Sequence, residues 1–256
     1  MLNGPLTTLR LPGPFARRRG RGFNPASLFA NGEQGDDFWF WRDFCFTLSS
    51  GGVYEPVTTT GDQIARMTGT VNGINADQDV AEARPVYGES GSIGWAELDG
   101  VDDVMLLPSD IQTSNGPVTL AAGSELYADN GTASIFDTDN GRIIFAARSD
   151  NAGRFGVSDG LAWTQHTPDN LFDKRVMTAV LRGDNSVLRS NGENRNTFSS
   201  ALRAVSGNTA IGARNDGTGL YMEGRIFSFI LRAHDTNNTD IDQIEKLLAQ
   251  RSGVTL

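Results

Sequence analysis

The sequence predicts an all-β protein of two packed antiparallel sheets, with an extended N-terminal arm before the sheets and one helix after them. Three observations favour this class. From Ile93 onward, short apolar segments alternate with Gly, Asn and Asp turns, two of these segments are apolar on both faces, and only the last twenty residues carry a helical stripe. The 256 residues contain no run of eighteen apolar residues, so we expect neither a helical bundle nor a membrane span.

Residues 1–27 are predicted to form the extended arm, because their prolines and glycines disfavour helices and ladders. The chain has a net charge of −9, yet residues 1–22 carry five arginines and no acid, which leaves −14 on the rest. Such an arm favours contact with another protein surface, and the acidic body argues against direct nucleic-acid binding. The alternative is a solvated tail. The candidate anchoring residues are Arg10, Arg17, Arg18, Arg19 and Arg21.

Residues 28–92 are predicted to form an aromatic-rich connecting region. In the segment Phe38–Trp41, alternation directs the two phenylalanines to one face and the two tryptophans to the other. We expect this segment to pack as a plug under the main domain, and a sugar-stacking platform is the alternative. The single cysteine, Cys45, excludes an internal disulfide and is expected to be a small buried hydrophobe.

Residues 93–256 are predicted to form the sandwich. The two segments that are apolar on both faces, Val176–Leu181 and Ile226–Leu231, are expected to be central strands. Asn191-Gly192 is a turn sequence, because both residues tolerate positive φ. The remaining predicted strands begin near Ile93, Val104, Val118, Ala133, Arg142, Arg154, Leu161, Ser186, Thr197 and Thr209.

One helix is predicted at the end of the chain. Thr239 offers an N-cap, with acidic residues in the first turn, and Gly253 is a stop signal. The apolar stripe contains Ile241, Ile244, Leu247 and Leu248. We expect this helix to dock on the edge of the sandwich.

Two closing segments, Thr209–Arg214 and Gly224–Arg232, resemble the end of concanavalin A-like (laminin G-like) jelly-roll domains. Upstream, Ser27–Gly35, Arg84–Val86 and Leu98–Asp103 resemble segments of tailed-bacteriophage structural proteins. The resemblance covers roughly residues 27–256 and implies a jelly-roll sandwich in a virion structural protein, without enzymatic activity.

The resemblance sets the expected partners and location. It implies a head decoration, fibre or tail component on the surface of a phage particle, made in the host cytoplasm. The arm would bind other virion subunits, and a homo-oligomer is expected, with a trimer as the first expectation. The main alternative is a receptor- or polysaccharide-binding module at a tail tip that contacts a host-surface glycan.

The weakest alternative is a jelly-roll glycoside hydrolase. Glu97, Asp99 and Asp102 resemble the Glu-x-Asp-x-x-Glu strand of laminarinase-type enzymes, in which paired carboxylates serve as nucleophile and acid. The same residues also fit a plain strand, turn and strand. We therefore predict no catalytic residue.

No cofactor or metal is predicted. Asp137–Gly141, with Asp129 nearby, lacks the acids that a calcium loop needs, and a tight turn explains it better. His166 is expected in a loop, with no metal-ligand spacing to His234. For glycan contact, Trp163 is the candidate, because its polar flanks favour an exposed ring, whereas Trp95 is expected in the core.

Overall fold

The computed structural model describes residues 23–29, 33–108, 115–128, 132–138, 143–148, 154–168, 170–205, 208–215, 217 and 219–256. In these ranges the chain forms two antiparallel sheets and a C-terminal helix, as the predicted fold class requires. The eight-stranded sheet contains β1 (Gly35–Trp39), β6 (Val86–Ser90), β7 (Ile93–Asp99), β9 (Val118–Leu126), β14 (Arg175–Leu181), β15 (Ser186–Ser190), β16 (Glu193–Phe198) and β18 (Glu223–Arg232).

The ten-stranded sheet runs in the order β13-β12-β11-β10-β17-β8-β5-β4-β2-β3. Its members are β2 (Cys45–Leu48), β3 (Tyr54–Pro56), β4 (Arg66–Thr68), β5 (Asn75–Asp77), β8 (Met105–Leu107), β10 (Thr132–Thr138), β11 (Ile144–Arg148), β12 (Arg154–Ser158), β13 (Trp163–His166) and β17 (Thr209–Ile211). The strands β2 to β5 are short, and β13 forms the edge at the opposite end of the sheet from β3.

The two segments predicted to be central strands, Val176–Leu181 and Ile226–Leu231, lie in β14 and β18, inside the eight-stranded sheet. The eight-stranded sheet has the order β16-β15-β14-β9-β18-β7-β6, and all seven residues of β14 are buried. In β18, every residue from Ile226 to Arg232 is buried. One side of β18 pairs with β9, while the other side is shared by β7, at residues 223–226, and β1, at residues 228–232.

Residues 28–92 contribute strands to both sheets. β1 hydrogen-bonds to β18, so the Phe38–Trp41 segment begins within the eight-stranded sheet, which differs from a plug packed beneath it. The predicted alternation of side chains between the two faces is observed in this segment. Phe38 and Phe40 are buried in the core, while the Trp39 and Trp41 rings stack on the other face, with centroids 5.9 Å apart. The β6–β7 hairpin spans the predicted division at residue 92.

The core between the sheets is rich in aromatic residues. Phe229 of β18 stacks on Phe38 of β1, with ring centroids 6.4 Å apart, and on Phe136 of β10 at 5.1 Å. The contact between Phe229 and Phe136 joins the two sheets, since Phe38 belongs to the same sheet as Phe229. Cys45 is fully buried in the same cluster, as predicted, and burial raises the pKa of its thiol.

The helix α1 (Asn238–Ser252) begins two residues earlier than a Thr239 cap would place it. Asn237 is the N-cap, and its side-chain oxygen accepts a 3.0 Å hydrogen bond from the Asp240 N–H, because asparagine caps at least as well as threonine. The helix ends, as predicted, at Gly253, which has a φ of 72°.

The predicted docking of α1 on the sandwich edge is wrong. Ile244 and Leu248 pack on Ala121, Val176 and Ile230, which lie on the outward face of the three central strands. Small residues of β9 give the helix room, since a Cβ at Gly123 would lie 3.2 Å from the Ser252 Cβ. No helix in the described ranges combines the length and the apolarity that a bilayer crossing requires.

Buried ion pairs tie the helix and the first strand to the sheet. The Arg251 guanidinium donates to both Asp37 carboxylate oxygens, at 2.5 and 2.8 Å, and to the Ser228 hydroxyl at 3.1 Å. Arg232 pairs with Glu33 at 2.7 Å. Each of these arginines and its carboxylate is almost completely buried.

Part of the predicted arm is packed. Residues 23–29 include a short 3₁₀ turn over Pro25–Ser27, and Phe23 of the arm packs against the cluster beneath α1 that contains Leu28 and Phe29. Residues 23–27 are therefore not simply extended. Arg10, Arg17, Arg18, Arg19 and Arg21 lie outside the described residues, and the anchoring role stays a prediction.

Candidate functional site

A polar cleft of about 170 Å³ opens where the two sheets end beside each other. Here β13, the edge of the ten-stranded sheet, approaches β15 and β16, the edge of the eight-stranded sheet. The end of β13 and the segment that follows it supply one wall, with His166, Thr167, Pro168, Asn170 and Asp173. A second wall, from β15, β16 and the turn between them, contains Ser190, Asn191 and Arg195, and Arg175 of β14 also lines the cleft. We call this site the mouth cleft.

Arg175 is the buried charged residue of the mouth cleft, with 5% of its surface exposed. It is the first residue of β14, and its guanidinium lies 5.6 Å from the centroid of the core residue Phe155. Its Nε donates to the Asp173 carbonyl oxygen at 3.2 Å, and its Nη2 donates to the Asn170 carbonyl oxygen. These two bonds hold the planar group in a fixed orientation among the residues that line the cleft.

Arg175 has no carboxylate within ion-pair distance among the described residues. A guanidinium has five N–H donors, and the two backbone bonds leave three without an acceptor in the described part of the chain. Burial lowers the pKa of this guanidinium from its ordinary value, and the nearby Asp173 carboxylate offsets part of the effect. Within the described part of the chain, the mouth cleft therefore contains a desolvated cation with three N–H donors that have no protein acceptor.

The β15–β16 turn forms a rigid wall. Asn191 and Gly192 have φ angles of 49° and 83°, which confirms the predicted turn. The Asn191 side-chain oxygen accepts a 2.9 Å hydrogen bond from the Val176 N–H, and the Asn191 N–H donates to the Val176 carbonyl at 2.9 Å. Arg195, farther along, pairs with Glu193 at 2.6 Å.

His166 is the last residue of β13, so its predicted position in a loop is wrong. It pairs with Phe155 of β12, and the two rings meet edge to face with centroids 5.4 Å apart. This contact holds the imidazole at the wall of the mouth cleft.

Trp163, the predicted glycan contact, does not line the mouth cleft. It is half-buried at the start of β13 and pairs with Ser158. Strand geometry puts it about 10 Å from His166 and on the opposite face. A glycan contact at Trp163 remains a prediction.

The predicted carboxylate strand is placed on the outward face of the eight-stranded sheet. Glu97 accepts hydrogen bonds from the Trp95 Nε1–H at 2.7 Å and from the Arg225 Nε–H at 2.8 Å. The Arg225 guanidinium lies between two rings, 4.3 Å from the Trp95 centroid and 5.1 Å from that of Tyr127. Trp95 is therefore half-buried on this face and not in the core, because alternation in β7 turns Ala96 and Leu98 inward.

Asp99 and Asp102 belong to the turn after β7. The Asp99 carboxylate accepts bonds from the N–H groups of Val101 and Asp102, at 2.8 and 3.3 Å, and Asp103 accepts from the Asp99 N–H at 2.9 Å. Burial, with repulsion from Asp99 and Asp102, raises the pKa of Asp103 to about 7. These bonds give the carboxylates of Asp99 and Asp103 a structural role in the turn.

The same turn is the place where a cation could be held. One oxygen from each of Asp99, Asp102 and Asp103 lies within 4.8 Å of the others. Three carboxylates are fewer ligands than calcium requires, and two of them are already used by backbone N–H groups. Of the calcium candidates considered from sequence, Asp129 and residues 139–141 lie outside the described residues, and Asp137 is buried in β10.

Sequence reasoning missed most of the mouth cleft. Its residues come from two separate stretches, 166–175 and 190–195, that only the sandwich brings together. The local signal was weak: a polar run after a strand, and an arginine at the start of an otherwise apolar strand.

No protein-family model matches the chain, and no curated protein matches it. Solved structures do match. A Trypanosoma rangeli sialidase in complex with 2,3-difluorosialic acid has a TM-score of 0.55 and 14% identity, covering 90% of this chain and 35% of that one. The same sialidase in complex with sialic acid gives a TM-score of 0.54 and 12% identity, over 84% of this chain and 37% of that one. A third complex, with 2,3-difluoro-KDN, gives 0.54 and 14%, over 84% and 38%. This chain thus spans little more than a third of the matched chains, and at these identities the comparisons support the fold alone.

Proposed function

We propose that this chain is a glycan-binding β-sandwich module and that the mouth cleft is its binding site. The observation that carries the proposal is the lining: amide, hydroxyl, imidazole and guanidinium groups converge on one open cleft at the end of a rigid sandwich. Such groups match the closely spaced hydroxyls of a sugar, which both donate and accept hydrogen bonds. Sialidases with a similar fold, one in complex with sialic acid, are consistent with this proposal.

The arrangement of carboxylates favours binding over hydrolysis. Glycoside hydrolysis by the usual route needs two carboxylates about 5–10 Å apart across the bond that is cleaved. Among the described lining residues, Asp173 is the single carboxylate, and it accepts a 2.7 Å hydrogen bond from the Asn170 amide. The other candidate acids, Glu97 and Asp99, are engaged by Arg225 and by turn N–H groups. The module is therefore proposed to act without turnover.

The test is a glycan array followed by calorimetric titration with the best oligosaccharide. Thr167→Trp, at an exposed position of the lining, should fill the cleft and abolish binding. Val53→Trp is the matched control, because Val53 is 58% exposed in the β2–β3 turn, at the other end of the ten-stranded sheet. Absence of any saturable glycan binding, or binding that survives Thr167→Trp, would overturn the proposal.

A second candidate role is that of a phage virion component, which is favoured by the uneven charge. Five arginines and no acid in residues 1–22 precede a body of charge −14, an arrangement that suits an arm bound to an acidic neighbour. In such a particle, an oligomer of this chain would display the sandwich outward, and the mouth cleft would bind a host glycan or polysaccharide. We expect neither nucleic acid nor membrane as the partner.

Deletion of residues 1–22 tests this role. The truncated protein should keep its fold, since the two sheets lie in later residues, but should fail to enter particles and should lose oligomers. Normal incorporation at moderate salt would contradict the anchoring role, whereas glycan binding by the truncated protein would be unaffected.

A further inference from the structure

We propose that the mouth cleft selects a saccharide that carries a carboxylate, such as a uronic or sialic acid residue, and that Arg175 binds that carboxylate. This inference rests on the proposed function and names the class of ligand. The observations behind it are the burial, the hydrogen-bond partners and the orientation of the Arg175 guanidinium.

Arg175 lacks a carboxylate counter-charge among the described residues. A buried charge is costly unless it is paired, and two other buried arginines of this chain, Arg232 and Arg251, are paired with Glu33 and Asp37. Arg175 is as deeply buried, but among the described residues it donates hydrogen bonds only to backbone carbonyls. An anion that enters the cleft would supply the missing charge in a desolvated setting, where the attraction is strong.

The fixed orientation of the Arg175 guanidinium suits a carboxylate. The two carbonyl bonds use Nε and one Nη2 hydrogen, so the group is fixed before any ligand arrives, and neither Nη1 hydrogen has an acceptor among the described residues. A planar carboxylate fits such donors better than a sugar hydroxyl, because its two oxygens accept without offering a competing donor. Arg175 is a buried lining residue of a cleft whose other lining residues offer amide and hydroxyl groups for the rest of the sugar ring.

Arg84 provides a matched control for Arg175 elsewhere in the chain. Arg84 is also buried, with 8% exposed, and it too donates through Nε and Nη2 to backbone carbonyls, those of Gln78 and Asp79. Arg84 does not line the mouth cleft. Its substitution thus reproduces the structural loss of a buried, carbonyl-bound arginine without touching the proposed site.

The test compares trigalacturonic acid with its neutral methyl ester, and 3′-sialyllactose with lactose, by calorimetric titration of the full chain. The parent protein should bind at least one acid tenfold or more tightly than its neutral counterpart. Arg175→Gln should remove that preference while retaining weak binding of the neutral sugar, Arg175→Lys should retain part of it, and Arg84→Gln should leave it unchanged. Circular dichroism and the urea midpoint report whether each variant is folded.

The outcomes separate this inference from the proposed function. Equal affinity of the parent protein for acid and neutral sugars would overturn the inference while leaving glycan binding intact, and this comparison needs no variant. A preference that survives in folded Arg175→Gln would overturn the role of Arg175. A sulfated trisaccharide that binds as tightly as the carboxylated one would overturn the choice of carboxylate. Failure of every sugar to bind would remove the proposed function, and this inference with it.

Discussion

Arg251 in the last turn of α1 offers the sharpest test of how the helix is held on the sheet. Its guanidinium forms two hydrogen bonds with the Asp37 carboxylate of β1 and one with the Ser228 hydroxyl of β18. It also lies 4.7 Å from the centroid of the Trp39 ring. The substitution Arg251→Met keeps much of the length of the side chain and removes its charge and its donors.

The expected cost follows from what the substitution leaves behind. Asp37 is fully buried, and its described partner after the change would be the Thr70 hydroxyl, 2.7 Å from Oδ2. Removing one member of a buried pair costs about 3–5 kcal/mol, because the other charge stays desolvated without a partner. Replacing both members with apolar residues costs less, so Arg251→Met combined with Asp37→Leu should be more stable than Arg251→Met alone.

Urea unfolding followed by circular dichroism measures this difference as a shift of the midpoint at constant slope. The matched control is Arg66→Met, which breaks a bidentate pair with Asp77 of similar geometry, with side chains 28% and 37% exposed. An exposed pair of this kind contributes about 1 kcal/mol or less. If Arg251→Met costs no more than Arg66→Met, or if the double variant is the least stable, the reasoning about the buried pair is refuted.

Three further substitutions test other parts of the fold by the same unfolding assay. Asp103 has a pKa raised from 3.8 to about 7, so it binds its proton more tightly in the folded state, and its contribution to stability falls as pH rises from about 4 to 7. The substitution Asp103→Asn should therefore stabilise the protein at pH 8, on the order of 3 kcal/mol, and have little effect at pH 4. Equal effects at the two pH values would contradict this reasoning. Gly35 has a φ of 113°, and a Cβ there would lie 2.2 Å from the Leu231 carbonyl oxygen, whereas Gly61 has a φ of 103° and no atom within 4 Å of its Cβ position. Gly35→Ala should therefore cost several times the roughly 1 kcal/mol of stability expected for Gly61→Ala. Similar costs for the two substitutions would count against the close approach of β1 to β18. Phe229→Ala should cost about 3–5 kcal/mol because it removes the ring that joins the two sheets, and a loss below 1 kcal/mol would show that the stack is not central.

The sequence predicts the second half of the sandwich well because its signals are local. Val176–Leu181 is apolar on both faces, so only a central position buries it, and β14 is fully buried. Asn191-Gly192 demands positive φ, and the chain turns there. Gly253 ends the helix for the same reason.

The first half could not be predicted as well, because its order depends on distant partners. In β1, Asp36 and Asp37 are fully buried, although a pair of adjacent aspartates predicts an exposed turn. Asp36 accepts hydrogen bonds from four backbone N–H groups, among them Val71 and Ile74, and burial nevertheless raises its pKa. None of these partners is near in sequence except Asp37.

The mouth cleft was missed for a related reason. Arg175 at the start of an apolar strand predicts a solvent-facing cation at a strand end, and only the packing of Phe155 beside it makes it a buried one. The aromatic residue chosen from sequence, Trp163, has polar neighbours but lies on the other face of β13. Composition alone does not reveal which face of an edge strand a cleft will use.

A nuclear magnetic resonance titration of the labelled chain with a carboxylated oligosaccharide tests the central claim most directly. Backbone and guanidinium signals of Arg175, together with amide signals of Asn170 and Asn191, should shift saturably, while those of Trp95 and Arg225 on the outward face of the sheet should stay in place. Saturable shifts confined to the outward face, or no shifts at all near Arg175, would contradict the assignment of the mouth cleft as the binding site.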